Sequence, residues 1–277
     1  MKHLQWFPGH MTKAMRMMEE NLKLVDGVMM VLDARAPFSS QNAKLDKLFI
    51  NKKILYVLNK CDLVDGAELK KVMAKFTEEG KAVVSISAMD KRAVDLLYTR
   101  IFDLLKEKLE RNKLKGVFKP IRIMVTGIPN TGKSTIINAL SGGKKAITGD
   151  KAGVTKGKQW IRLRELELLD TPGTMPPAFD NQTYAKHLAY IGSMNDANID
   201  FSDLAYELLA ELKVKYPKLL TDKYGIEDFD VENIELFNEI CRRRGFLMRG
   251  GEYDYDRCAV AIIDDFRKGR IGRIILD

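Results

Sequence analysis

One junction constrains this 277-residue chain more than any other feature. A β-prone apolar run over residues 121–126 passes without a break into Gly127-Ile128-Pro129-Asn130-Thr131-Gly132-Lys133-Ser134. Lys133 then opens a stretch with Ile136, Ile137 and Leu140 at helical spacing. A strand that turns through glycines into a helix is the context a phosphate-binding loop requires. Glycine lets backbone N–H groups curl around an anion, and the helix N-terminus adds partial positive charge. In such a loop the lysine reaches the β- and γ-phosphates, and the hydroxyl of Ser134 ligates Mg²⁺. Asn130, Thr131, Gly132 and Thr135 complete the cradle.

The strand needs neighbours, and the sequence supplies them. Short apolar runs at 28–32, 54–58, 83–86 and 166–169 have the character of strands buried on both faces. Between them, 67–79 and 93–113 place apolar residues three and four apart, as amphipathic helices do. This alternation predicts an α/β fold with a mostly parallel sheet covered by helices. Residues 113–120 are polar, end in Pro120 and read as a linker. After Pro176-Pro177 the strand signals fade, and helical patterns appear at 201–215, 231–244 and 254–268. The expected organisation is a P-loop domain over residues 1–178 followed by a small all-α domain over 179–277.

Composition narrows the setting. At 45% hydrophobic and 30% charged the chain folds around a core. Its three cysteines, Cys61, Cys241 and Cys258, are odd in number and far apart. They suit neither a disulfide framework nor a zinc module, and suggest a reducing compartment. No apolar run reaches the ~18 residues of a membrane helix, and the first residues lack the apolar stretch of a signal peptide. A cytoplasmic monomer that avoids membranes is expected. The net charge of +8 is uneven. Residues 1–185 carry 32 Lys/Arg against 20 Asp/Glu, whereas 186–240 carry 5 against 12. The excess in the first part suits a polyanion such as RNA.

Three further motifs define the ligand. Asn59-Lys60-Cys61-Asp62 follows the run at 54–58. A carboxylate there accepts from the N1–H and N2 amine of guanine, whereas adenine presents the wrong edge and leaves it unpaired. Alone, four residues can be a helix-capping turn; beside a phosphate loop they move the expectation from ATP to GTP. Ser87-Ala88 ends the next run and offers a backbone N–H in support of the guanine. Asp170-Thr171-Pro172-Gly173 ends the run at 166–169. Its Asp would hold Mg²⁺ through water, and the Gly173 N–H would sense the γ-phosphate. Between these motifs, Thr155 is the expected switch residue completing the Mg²⁺ shell. It is preferred to Thr148 because Gly153 and Gly157 flank it. Residues 144–164 hold seven Lys/Arg and one acidic residue, a surface suited to RNA phosphates.

The order is unusual. The guanine motif and its support precede the phosphate loop, and the two switch motifs follow it. The parts of a small GTPase are present in rotated order, with 113–120 joining what would otherwise be the two ends. In this, the chain resembles the circularly permuted GTPases, and specifically the ribosome biogenesis GTPase A (YlqF/RbgA) family. The similarity runs the full length. It includes Trp6-Phe7-Pro8-Gly9-His10-Met11, Asp33-Ala34-Arg35-Ala36-Pro37, Arg244-Gly245-Phe246, Gly250-Gly251-Glu252-Tyr253-Asp254 and Phe266-Arg267-Lys268-Gly269-Arg270-Ile271-Gly272. The resemblance implies a GTP-hydrolysing factor for late assembly of the large ribosomal subunit, acting on the precursor and its rRNA. An ATP-driven enzyme, a GTP-dependent RNA-binding scaffold and a small-subunit assembly GTPase are the competing expectations.

Many GTPases orient the attacking water with a Gln after the Asp-x-x-Gly glycine. Here that position is Thr174, a departure also from the bulky apolar residue usual in the resembling family. The family implies that His10 takes the role, for which an imidazole is chemically suited; packing beside Trp6 and Phe7 is the alternative. Asn130 matches the loop asparagine that helps potassium-activated GTPases hold K⁺ against the phosphates, or it simply shapes the loop.

Overall fold

The structure, a computed structural model, describes residues 10–142, 159–163, 165–175, 179 and 181–277. In chain order the first part contains α1 (His10–Asn21), β1 (Gly27–Asp33), α2 (Ala43–Leu48), β2 (Lys53–Asn59), α3 (Gly66–Glu78), β3 (Ala82–Ser85), α4 (Arg92–Leu104), α5 (Lys106–Leu114), β4 (Ile121–Thr126), α6 (Lys133–Leu140), β5 (Gln159–Arg162) and β6 (Leu166–Asp170). The second part is helical: α7 (Gln182–Tyr190), α8 (Phe201–Lys215), α9 (Pro217–Tyr224), α10 (Asn233–Arg243) and α11 (Tyr255–Arg267).

The six strands lie in the order β3-β2-β1-β4-β6-β5, all parallel except β5, which runs antiparallel to β6. The apolar runs are continuous because both faces are covered. Met29 and Val31 of β1 pack with Leu55, Val57, Ile123 and Val125 on one side; Val28, Met30 and Leu32 pack with Tyr56, Leu58 and Met124 on the other. β4 lies between β1 and β6. The chain therefore leaves the sheet edge at β3 and returns through α4, α5 and residues 115–120 to its centre. This connection lets a guanine motif on β2 precede a phosphate loop on β4 without disturbing strand neighbours.

Several elements differ from the sequence expectation. The stretch 93–113 is two helices, since the chain bends at Leu105 to keep that side chain buried while α5 buries none of its own. β5 falls inside the basic stretch read as a switch; it is a four-residue edge strand bearing Trp160 and Ile161. α7 and α9 add two helices. Their start signals were present: Asn181 caps α7, and α9 opens on Pro217 and closes at Gly225.

The helical part has its own core around Leu204, Leu208, Phe237, Ile262 and Phe266, and that core takes in Ala36, Ile128 and Met175 from the first part. The last residues return to the sheet side. Ile274 N–H donates to Leu63 O, Leu276 N–H to Arg35 O, and Ile275 packs into the core beneath β1 and β2. The expected boundary at 178/179 adjoins residues outside the description. Among the described residues no helix is long and apolar enough to cross a membrane.

Candidate functional site

The phosphate loop leaves β4 at Gly127. A Cβ there would lie 2.2 Å from Val31 O at φ +145°, so only glycine lets the loop pass this close to β1. Asn130 adopts φ 60° and Gly132 φ +91°, two left-handed turns that curl the loop. A Cβ on Gly132 would lie 2.2 Å from Asn59 Nδ2. Among the described residues no side chain caps the N-terminus of α6, where first-turn N–H groups suit an anion. Lys133 is buried and donates from Nζ to Ile128 O at 2.7 Å. Burial pushes its ammonium down to about 8, against the opposing pull of Asp170. A phosphate would restore the charge that burial disfavours.

The guanine motif is joined to this loop by hydrogen bonds. Asn59 Nδ2 donates to Thr131 O at 2.8 Å, and Asn59 Oδ1 accepts from Ala88 N at 3.0 Å. One side chain thus ties the loop to the Ser87-Ala88 turn. Lys60 sits at φ 63° and donates from Nζ to Asn130 O at 2.9 Å and to Asp33 Oδ2 at 2.8 Å. This turn leaves Asp62 exposed; with Cys61 and Ser87 it lines a cavity of about 440 Å³. On the other side of Lys60 a cavity of about 480 Å³ is lined by Asn130 and Gly132 through Thr135.

Asp33 and Arg35 entered the sequence reading only as part of a family resemblance. They form the centre of the site. Arg35, 2% exposed, grips fully buried Asp33 through Nε–Oδ1 at 2.9 Å and Nη2–Oδ2 at 2.7 Å. Burial would raise the Asp33 pKa, but Arg35 and then Lys60 override it and hold the carboxyl far below the usual range. Burial lowers Lys60, opposed by Asp33. Arg35 Nη1 also donates to Arg267 O at 2.9 Å, and its guanidinium stacks 5.5 Å from the centre of Phe266. A chain of contacts therefore runs from α11 through Arg35, Asp33 and Lys60 to the loop carbonyl of Asn130. No local sequence signal announces it, because a short Asp-x-Arg segment is ordinarily solvated.

The helical part also touches the loop directly. Asn130 Nδ2 donates to Gly192 O at 2.6 Å, and Ser193 Oγ to Pro129 O at 2.8 Å. Asp170 is buried at the end of β6. Gly173 lies against the loop: a Cβ there would meet Pro129 N at 2.9 Å and Lys133 Nζ at 3.1 Å. Thr174 N donates to Gly127 O at 3.1 Å; its hydroxyl is buried and has no hydrogen-bond partner among the described residues. It is placed to pack rather than to orient water. His10 begins α1, with its side chain outside the described residues, as are Thr148 and Thr155. α1 packs Met18 Sδ against Thr126 Oγ1 at 3.3 Å, next to the start of the loop.

Comparison with known proteins agrees with this geometry. Residues 122–238 match a family described as 50S ribosome-binding GTPase, and residues 7–107 match the elongation factor Tu GTP binding domain. The two matches divide the chain where the motif order rotates. Ribosome biogenesis GTPase A of Priestia megaterium is 41% identical over 99% of this chain and 96% of its own length. The chain belongs to the ribosome biogenesis GTPase A family. The member from Thermotoga maritima is 32% identical over 98% of this chain and 93% of its own length. The crystal structure of GNP-bound YlqF from T. maritima superposes with a TM-score of 0.67 at 30% identity, covering 96% of this chain and 97% of that one. A GDP-bound YlqF structure gives the same TM-score over 94% and 97%. As a member of the family the protein is a GTP-hydrolysing enzyme of ribosome biogenesis.

Proposed function

We propose that the protein acts at a late step of large (50S) ribosomal subunit maturation, binding the precursor particle and its rRNA in its GTP form. The observation that carries this reading is the coupling of the helical part to the phosphate loop through Gly192, Ser193 and Arg35. A domain bonded to the loop that holds the phosphates can change its pose with the nucleotide. The description of the family matched by residues 122–238 and the ribosomal names of the relatives point to the particle as partner. The basic excess of residues 1–185 suits rRNA.

In this reading Asn59, Lys60, Cys61 and Asp62 receive guanine with Ser87 and Ala88. Asn130 through Thr135 and Gly173 receive the phosphates. Ser134 and Asp170, the latter through water, would hold Mg²⁺ with Thr155. The donor set fits: a hydroxyl and a carboxylate are hard oxygen ligands. When bound, Mg²⁺ neutralises charge on the β- and γ-phosphates. Lys133 neutralises the same charge from the protein side, and His10 orients the attacking water in place of the absent Gln. Asn130, whose Nδ2 donates to Gly192 O, is the loop residue that would help hold K⁺ against the phosphates.

Co-sedimentation with separated ribosomal subunits tests the function. The protein is expected to pellet with large-subunit precursors in a non-hydrolysable GTP analogue and to be released in GDP. Equal binding in both states, or binding to the small subunit alone, overturns it. His10→Ala retaining particle-stimulated turnover removes His10 from catalysis.

A further inference from the structure

The motif Phe266 to Gly272 lies about 130 residues beyond the phosphate loop in sequence, yet its Arg267 and Lys268 line the 480 Å³ cavity. Most of its members have an evident packing or bonding task. Phe266 is buried under Arg35. Arg267 binds Asp196 at 2.7 and 2.8 Å and donates to the carbonyls of Ala189 and Tyr190. Gly269, at φ +68°, abuts Leu63, and Gly272 abuts Leu219. Arg270 binds Asp264 and Asp265, and Ile271 is buried.

Lys268 stands apart. Its side chain is 61% exposed, and it meets Asp264 at 3.0 Å beside the cavity. Asp264 has a second cation in Arg270 at 2.5 Å, so Lys268 can leave without stranding it. An exposed pair of this kind is weak. Cations also dominate the cavity wall: Arg35, Lys60, Lys133, Arg267 and Lys268 stand against Asp196 and Asp264, with buried Asp33 pairing Arg35 and Lys60 and Arg267 neutralising Asp196. The ligand class such a wall takes is a polyanion of nucleotide size.

We propose that Lys268, carried by the helical part, is a phosphate-binding residue that closes on the phosphate chain of the bound guanine nucleotide from the face opposite the phosphate loop. The proposal rests on reading this cavity as the seat of the nucleotide phosphates. It adds a ligand supplied in cis from the residue that caps α11, so that binding nucleotide also fixes the pose of the helical part. A flexible ammonium is suited to this task, because it can move from Asp264 to phosphate by rotation of its stem alone.

Equilibrium titration of the full-length protein with a fluorescent GTP analogue, at fixed ionic strength, tests it. Lys268→Ala is expected to weaken binding about ten-fold, as loss of one charge-assisted hydrogen bond does. Lys268→Glu should weaken it further, and Lys268→Arg should stay near wild type. Lys47→Ala, an exposed lysine on α2 away from the cavity, controls for net charge. The nucleotide-free melting temperature should be unchanged in all four. Lys268→Ala binding GTP as tightly as Lys47→Ala overturns the proposal. A loss of RNA binding with nucleotide affinity intact overturns it equally and assigns Lys268 to RNA. If Lys133→Ala binds as tightly as wild type, the reading of the cavity fails and takes the proposal with it.

Discussion

Arg35→Met probes the centre of the site while keeping most of the side-chain volume. It removes two charge-assisted bonds to Asp33, at 2.9 and 2.7 Å, and one to Arg267 O at 2.9 Å. Breaking a buried ion pair from one side costs about 3–5 kcal/mol, because the remaining charge stays buried. Asp33 keeps Lys60 at 2.8 Å, which places the expected cost near 3 kcal/mol. That is a large share of the roughly 5–15 kcal/mol that keeps a domain folded. Guanidinium unfolding of nucleotide-free protein at pH 7 measures it. The pH dependence supplies a second check. Asp33 is held below its unfolded value, so its stabilisation is fully present above about pH 4 and is lost as pH falls toward the folded value. In Arg35→Met, burial is opposed by Lys60 alone and the folded pKa rises. The deficit relative to wild type should therefore be greatest at pH 7 and narrow as pH falls through about 4 toward the wild-type folded value. Adding Asp33→Asn should recover part of the loss, since no buried carboxylate then lacks its partner. A deficit under about 1 kcal/mol at pH 7 refutes the argument.

Asp62→Asn should lose GTP by about 100-fold or more and gain xanthosine triphosphate, whose C2 carbonyl matches an amide donor; competition titration reads the exchange. Lys133 carries a pKa near 8 before phosphate raises it again. GTP binding should therefore take up close to one proton at pH 9 and weaken as pH rises above about 8, as calorimetry in two buffers of different ionisation enthalpy would show. Binding with no proton uptake at pH 9 counts against this. Thr174→Val removes a buried hydroxyl with no hydrogen-bond partner among the described residues, so stability should hold or rise by up to about 1 kcal/mol with hydrolysis unchanged. A fall in turnover would instead give Thr174 a part in hydrolysis.

Where chemistry is local, the sequence was a good guide. Residues 201–215 are α8, and 121–126 are β4, because apolar period and turn residues act within a few positions. The guanine motif and the phosphate loop were legible for the same reason: each is a short backbone shape demanding particular residues. The edge strand β5 was not, since four residues carrying Arg162 and Gln159 look like a solvated loop until β6 pairs with them. Nor was the return of residues 274–276 to the sheet side, which depends on surfaces built more than 200 residues earlier.

Residue order alone determined that a guanine-type motif precedes a phosphate loop, and hence that the sheet is entered at β1 and the loop reached through a long return. Tertiary structure decided what surrounds that loop. Arg35 and Arg267 are separated by 232 positions, and Asn130 and Gly192 by 62. Such contacts follow from which faces pack together, and a polar letter in a sequence does not say whether its charge is buried. Asp33 became the anchor of Lys60, and α11 a wall of the cavity beside the phosphate loop, only when the helical core closed over Ala36 and Ile128 and excluded water from the ions between them.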